Sequence, residues 1–216
     1  MAKSSAWAVV AFAVLGTCAT AWAQGGDTRI ELQQGTKARY RVGERLVGID
    51  FNNDAVGETT NVTGAIVLKA DGSVDSAQSK VVVDMKSLAS DQALRDMFLQ
   101  LQVLQTSKFP TLEFVPTKIT GLPWPLPVGN KVPNSTIVMP VPAGFQIAGN
   151  LTLRGVTRPV TWSVASTIDQ NTVSGRGTAT ITFADFGITK PVVPVLASVE
   201  DSIKLELEFR AKRTGQ

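Results

Sequence analysis

Hydrophobic and polar residues alternate with a period of two along most of this chain, most cleanly over residues 145–164. Phe145, Ile147, Leu151 and Leu153 fall on one side of an extended backbone, with Gln146, Asn150, Thr152 and Arg154 on the other. After the segment Gly155-Val156-Thr157-Arg158-Pro159 the alternation resumes, with Val160, Trp162 and Val164 against Thr161 and Ser163. Successive side chains of a strand point to opposite faces. This pattern on both sides of a glycine- and proline-marked turn therefore predicts an antiparallel hairpin with one buried face. Pro159 has no N–H to give to a ladder and belongs at the start of the second strand.

The same reading predicts strands over 37–42, 45–53, 61–69, 79–86, 111–120, 173–183 and 203–210. Their inward residues include Phe51, then Val81, Val83 and Met85, then Leu112 and Phe114, then Ile181 and Phe183, and finally Leu205 and Phe209. Asn52-Asn53-Asp54 and Asp71-Gly72 carry turn chemistry. The period changes once. Leu94, Met97, Phe98, Leu101 and Leu104 recur at three- and four-residue spacing, which predicts an amphipathic helix over 90–105, with Ser90 as its N-cap and Phe109-Pro110 beyond its end. Residues 121–144 hold prolines at 123, 125, 127, 133, 140 and 142, a density that excludes a central strand and reads as a surface excursion dispensable for folding.

About eight one-sided strands in a single run must close on themselves or pack on a second sheet. Periodicity leaves barrel and sandwich open, and a filled core and a greasy cavity would give the same inner face.

Composition and charge narrow the chemistry. Residues 1–23 have one cation, Lys3, before an apolar run from Ala6 to Leu15, and end in Ala21-Trp22-Ala23. That is the pattern of a secretory signal peptide cleaved near Ala23, leaving residues 24–216 as one domain in the periplasm or outside the cell. Cys18 leaves with the leader, because Thr17 suits a lipoprotein site poorly. Without Lys3 the 21 basic residues become 20 against 18 acids, spread along the chain, so neither nucleic acid nor disorder is indicated. The sequence contains no histidine. Ser-His-Asp and Cys-His catalysis are thereby excluded, and so are the commonest metal ligand and pH switch. No phosphate-cradling glycine loop is present. Glu206 and Glu208 fall on an outward face, and Asp185 between Phe183 and Phe186 suits a turn cap. Arg95-Asp96 reads equally as a surface pair or as an anchor for the helix. Nothing here makes an enzyme, a metal site or a cofactor site.

The segment Gly149-Asn-Leu-Thr-Leu-Arg-Gly-Val-Thr-Arg-Pro-Val-Thr161 resembles the most recognisable stretch of the YceI-like family of secreted lipid-binding proteins. Val83-Asp-Met-Lys-Ser-Leu88, Arg95-Asp96, Lys108-Phe109-Pro110 with Leu112-Glu-Phe114, and Asp185-Phe186-Gly187-Ile188 support the resemblance, which extends over about residues 40–209. It implies an all-β, eight-stranded antiparallel, lipocalin-like barrel with one short helix closing an end. It also implies an interior tunnel for a long isoprenoid-type lipid or quinone. Members often carry histidines near the first strand and in the helix, where this chain reads Gly43-Glu44-Arg45 and Met97-Phe98-Leu99.

On that implication the tunnel lining comprises Phe51, Val83, Met85 and Phe114, the hairpin's Phe145, Ile147, Leu151 and Trp162, and Ile181, Phe183, Phe186 and Leu205. Leu94, Phe98 and Leu101 form a lid, and Asn53, Arg95, Asp96 and Asp185 meet a headgroup at the rim. The implied function is a carrier; homodimerisation and transient membrane contact are compatible with it. The rival is a non-catalytic interaction or stress-response protein whose barrel is filled with side chains.

Overall fold

The structure, a computed structural model, describes residues 26–48, 52–133, 135–136, 138–192 and 196–215. The residues expected to form a leader, 1–23, and Phe51 lie outside the described residues. Eight antiparallel strands run up and down and close into a barrel. Three of them are broken once. Strand β1 is Thr28–Leu32 continued by Lys37–Leu46, β2 is Asn52–Thr59 continued by Val62–Leu68, and β3 is Lys80–Asp84 continued, after a 3-10 turn at Met85–Ser87, by Ala89–Ser90. Then follow β4 (Thr111–Thr120), β5 (Val141–Leu153), β6 (Val156–Ile168), β7 (Thr172–Thr182) and β8 (Leu196–Thr214). Both halves of β1 lie on the free edge of β8, with Arg29 opposite Thr214 and Tyr40 opposite Leu205. The alternative of two packed sheets is thus resolved in favour of closure, although at one point Ala89–Ser90 pairs with Asn52–Thr59 and not with Thr111–Thr120.

The hairpin of β5 and β6 turns more tightly than its sequence suggests. Val156 already pairs with Leu153, so the turn is only Arg154-Gly155, both at positive φ (54° and 76°). Two left-handed residues give the turn whose twist matches that of the flanking strands. Asn52-Asn53-Asp54, expected as a turn, instead open β2, while Asp71-Gly72 sits within a longer connection from Leu68 to Lys80.

The two ends of the barrel are closed differently. At the end carrying the 153–156 turn, Leu151 and Phe186 are fully enclosed and pack with Ile181, Phe183 and Ile188 into a solid cluster. At the other end the proline-rich segment turns inward. Leu126 is 3% exposed and packs with Leu68, Ile168 and Val173, flanked by Leu122 and Trp124. Trp124 Nε1 donates to the Ala70 carbonyl at 3.0 Å, and the buried Arg213 donates to the carbonyls of Pro127 (2.8 Å) and Leu126 (3.3 Å). Gly72 makes room for the indole, since a Cβ there would lie 2.7 Å from Trp124 Cγ. Residues 121–127 are therefore a stopper rather than a surface excursion. Proline keeps the backbone out of the ladder, yet it does not keep the interspersed Leu and Trp side chains out of the core.

The helical segment also departs from expectation. It comprises α1 (Ala93–Phe98) and a π-helical turn at Leu99–Val103, with Gln92 rather than Ser90 at the cap position. Leu94, Met97, Phe98 and Leu101 face outward; Leu99 and Val103 face the barrel. A π turn takes in an extra residue, so the stripe that starts at Leu94 cannot hold its phase to Val103. Among the described residues no helix is long and apolar enough to cross a membrane.

The burial contrast gives a direct test. Leu126→Ala is expected to lower stability by about 2–5 kcal/mol, the cost of an unfilled core site. Phe98→Asp is expected to change it by less than about 0.5 kcal/mol, as for exposed sites. Urea unfolding of both variants measures the difference, and equal effects would contradict these placements.

Candidate functional site

Inward side chains of the barrel surround a cavity of about 150 Å³ that runs from the stopper towards the helical segment. Leu122 and Leu126 close it at one end; Met85 and Leu88 bound it at the other, in the cluster that also holds Val103. Its walls are hydrocarbon and aromatic. Of the residues expected to line a tunnel, Val83, Met85, Phe114, Phe145, Ile147, Trp162 and Leu205 do so. Leu151, Ile181, Phe183 and Phe186 point inward but are packed into the solid cluster and do not reach the cavity wall. The 3-10 turn Ala184–Phe186 folds Phe186 over that part of the barrel and fills it. Leu94, Phe98 and Leu101 lie on the outer surface and form no lid lining.

Strand register organises a single layer across the cavity. Ile147 is opposite Trp162, Ala179 is opposite Leu205, and Leu205 is opposite Tyr40. Phe114 meets Trp162 edge-on, with ring centroids 6.0 Å apart. The Tyr40 hydroxyl and Trp162 Nε1 are both enclosed and both lack a hydrogen-bond partner. Burial pushes the Tyr40 phenol up to about 12; the nearby Arg95 charge opposes the shift, and Asp96, Glu44 and Asp91 reinforce it. Tyr40 was not legible as a site residue, although its parity with Val42 and its uniqueness in the chain were signals.

The expected rim residues divide. Asn53 and Arg95 converge on Glu44, which is 6% exposed. Asn53 Nδ2 donates to Glu44 Oε1 at 3.2 Å and Arg95 Nη2 does so at 3.0 Å. Arg95 Nη1 also donates to Asp91 Oδ1 at 2.6 Å, and the Asp96 carboxylate accepts from the Ser90 N–H at 2.9 and 3.0 Å. These contacts bind the helical segment to β1 and β3, so Arg95 and Asp96 anchor it rather than pairing with each other. Glu44 was missed because the sequence only places it beyond Val42 on the inner face; its partners come from distant segments. Asp185 lies apart and exposed, accepting from the Thr182 N–H at 2.8 Å while its own N–H donates to Thr182 Oγ1. The Thr182 amide and hydroxyl hold its carboxyl below the usual range, as suits a turn cap. Glu206 sits on the outer face between Lys204 (3.0 Å) and Arg41 (3.7 Å).

A closed antiparallel barrel enclosing an apolar cavity is the architecture in which lipocalins hold one small ligand. Comparison with known proteins narrows this class. The family profile described as the YceI-like domain matches residues 34–211, and the chain belongs to that family. Among solved structures it is similar to a polyisoprenoid binding domain from Saccharophagus degradans implicated in plant cell wall breakdown, at TM-score 0.59 and 9% identity over 86% of this chain and 98% of that one. It is similar to Burkholderia cenocepacia BcnA at TM-score 0.57 and 14% identity, over 83% and 98%. The YceI protein of Campylobacter jejuni gives TM-score 0.51 and 18% identity, over 77% and 91%. No curated protein matches the sequence significantly.

Tyr40 is the one tyrosine of the chain, so tyrosinate absorbance reports on it alone. The unfolded phenol ionises near pH 10 and the folded one at about 12. Its contribution to stability is therefore complete below about pH 10 and is lost as the pH rises towards 12. The absorbance is expected to stay flat through pH 10 and to rise only with alkaline unfolding. A midpoint near 10 in the folded protein would contradict the enclosure of this side chain.

Proposed function

We propose that the chain is a periplasmic carrier of a long-chain hydrophobic lipid of the polyisoprenoid or isoprenoid-quinone type, held inside the barrel. The observation that carries this reading is the apolar cavity between the stopper and the helical segment, bounded by Val83, Met85, Phe114, Phe145, Ile147, Trp162 and Leu205; at about 150 Å³ it takes only a segment of such a chain, so loading requires the channel to widen. Keeping such a chain in water costs about 0.8 kcal/mol per CH₂ group, and an enclosed hydrocarbon wall removes that cost without needing polar contacts along the tail. The name of the Saccharophagus degradans domain, a polyisoprenoid binding domain, supports the ligand class. The leader-like pattern of residues 1–23 supports the compartment. The chemistry is that of binding, with no catalytic step assigned to any residue.

Lipid enters and leaves past the helical segment, which is fastened by Arg95 to Glu44 and by Asp96 to Ser90. The exposed stripe of Leu94, Met97 and Leu101 on this segment is compatible with transient contact with a membrane or a second copy.

Mass spectrometry of an organic extract of the native protein tests the carrier directly: a stoichiometric long-chain lipid is expected. A pair of substitutions tests its location. Ile147→Trp, at the cavity wall, is expected to abolish lipid uptake while changing the lipid-free unfolding midpoint little. Leu151→Trp, in the solid cluster, is expected to lose about 1–3 kcal/mol through overpacking. Normal uptake by a folded Ile147→Trp protein would place the lipid elsewhere.

A further inference from the structure

Beyond Asp84 the wall of the barrel changes its construction. Up to that residue β3 and β4 share a backbone ladder, from Val81 opposite Phe114 to Asp84 opposite Thr111, and the Met85 N–H still reaches the Pro110 carbonyl at 2.8 Å. There the ladder stops. Pro110 has no N–H to give. The 3-10 turn at Met85–Ser87 leads β3 towards β2: the Asp84 carboxylate accepts from the Lys86 N–H at 2.9 Å, and the Ser87 hydroxyl lies 2.6 Å from Thr59 Oγ1. Ala89–Ser90 then pairs with β2 alone.

The edge of β3 left open in this way is met by side chains instead of by a strand. Gln100 Nε2 donates to the carbonyls of Lys86 and Leu88 at 3.3 and 3.4 Å. The Asp96 carboxylate accepts from the Ser90 N–H at 2.9 and 3.0 Å. Residues 86, 88 and 90 alternate along the edge, and Asp96 and Gln100, four residues apart, share one side of the helical segment. Beneath them Leu99 and Val103 lie against the core cluster that holds Met85 and Leu88. Met85 and Leu88 on one side of the break and Leu112 on the other are cavity wall.

We infer that the helical segment is a strap over a lateral slot between β3 and β4, and that lipid passes through this slot in the side of the barrel. That assignment rests on the carrier reading and adds to it the route and the residues that regulate it. The rim beside the strap offers no route, since Leu151, Phe186 and Ile188 fill that part of the barrel. A backbone ladder opens only when its strands separate, whereas side-chain bonds to an edge break locally with the strands left in place. As the strap lifts, a hydrocarbon chain takes the place of Leu99 and Val103 against Met85 and Leu88, apolar contact for apolar contact. Asp96 supplies the charge-assisted bonds to the edge, and Arg95 tethers the same segment to Glu44 at 3.0 Å.

The experiment uses the mature chain, residues 24–216, which contains no cysteine. Uptake and release of a prenylated benzoquinone carried in phosphatidylcholine vesicles are followed by quenching of tryptophan fluorescence, since Trp162 lines the cavity. Deuterium exchange at the Ser90 amide is measured in parallel. Asp96→Ala is expected to raise the uptake and release rates alike by about tenfold and to leave the affinity within about twofold of wild type. It is expected to speed exchange at the Ser90 amide while the amides of β5 and β6 keep their protection. Gln100→Leu is expected to act in the same direction with a smaller effect. In Ser90→Cys/Asp96→Cys, oxidation to the disulfide is expected to stop uptake and release, and reduction to restore them. Lipid exchange that continues in the oxidised protein, failure of the two cysteines to pair, or an Asp96→Ala protein with weaker affinity and unchanged rates would overturn the slot. Wild type that takes up no quinone would remove the carrier reading; a Ser90 amide as protected as those of β5 and β6 would remove the strap by itself.

Discussion

Strand β8 is 19 residues long, and its free edge receives both halves of β1, from Leu46 opposite Leu196 to Arg29 opposite Thr214. Every other feature follows from that closure. A sheet with one apolar face needs that face covered, and rolling it into a barrel covers it with itself while satisfying the last row of backbone donors and acceptors. Closure also sets the interior radius. Where a turn folds back into the lumen, as Ala184–Phe186 does, the interior is solid; where only the aliphatic and aromatic side chains of the strands project inward, a channel remains.

The two ends of that channel are sealed by different physics. The stopper is held by burial of Leu126 and by donation of the Arg213 guanidinium to backbone carbonyls that proline-rich chain leaves without ladder partners. The helical segment is held mainly by polar fastenings to Glu44 and Ser90, with Leu99 and Val103 beneath. A seal made of hydrophobic packing resists opening in water. One made of a part-exposed ion pair and a few hydrogen bonds opens at lower cost, which suits the end past which a lipid would move.

The outer face has its own logic. Arg39, Arg41, Glu58, Glu206 and Glu208 alternate in sign across β1, β2 and β8, with Arg39 Nε 2.8 Å from Glu58 Oε2 and 3.3 Å (Nη1) from Glu208 Oε2. Such cross-strand pairs add modest stability individually and keep the barrel exterior polar. They hold Glu206 and Glu208, neighbouring carboxylates of β8, in ion pairs with Lys204, Arg41, Arg39 and Arg176.

How much was legible in the sequence depended on the range of the forces involved. Strand periodicity is a local property, so the inner faces of β3 to β8 were readable, and the GNLTLRGVTRPVT segment identified the family. The family, in turn, chose barrel over sandwich, which alternation could not do. What lay beyond reach was decided by neighbours distant in the chain. The stripe Leu94-Phe98-Leu101 has core spacing, yet it faces outward because Arg95 and Asp96 found partners on β1 and β3. Prolines 123, 125 and 127 marked a loop correctly, but only the open end of a barrel made that loop a stopper. Leu151 and Ile147 share one strand face and differ in whether Phe186 lies over them or empty space does. Sequence alone thus settled which side chains of the strands point inward; tertiary structure settled which of those meet other side chains and which line the channel, because that depends on what closes over them from elsewhere.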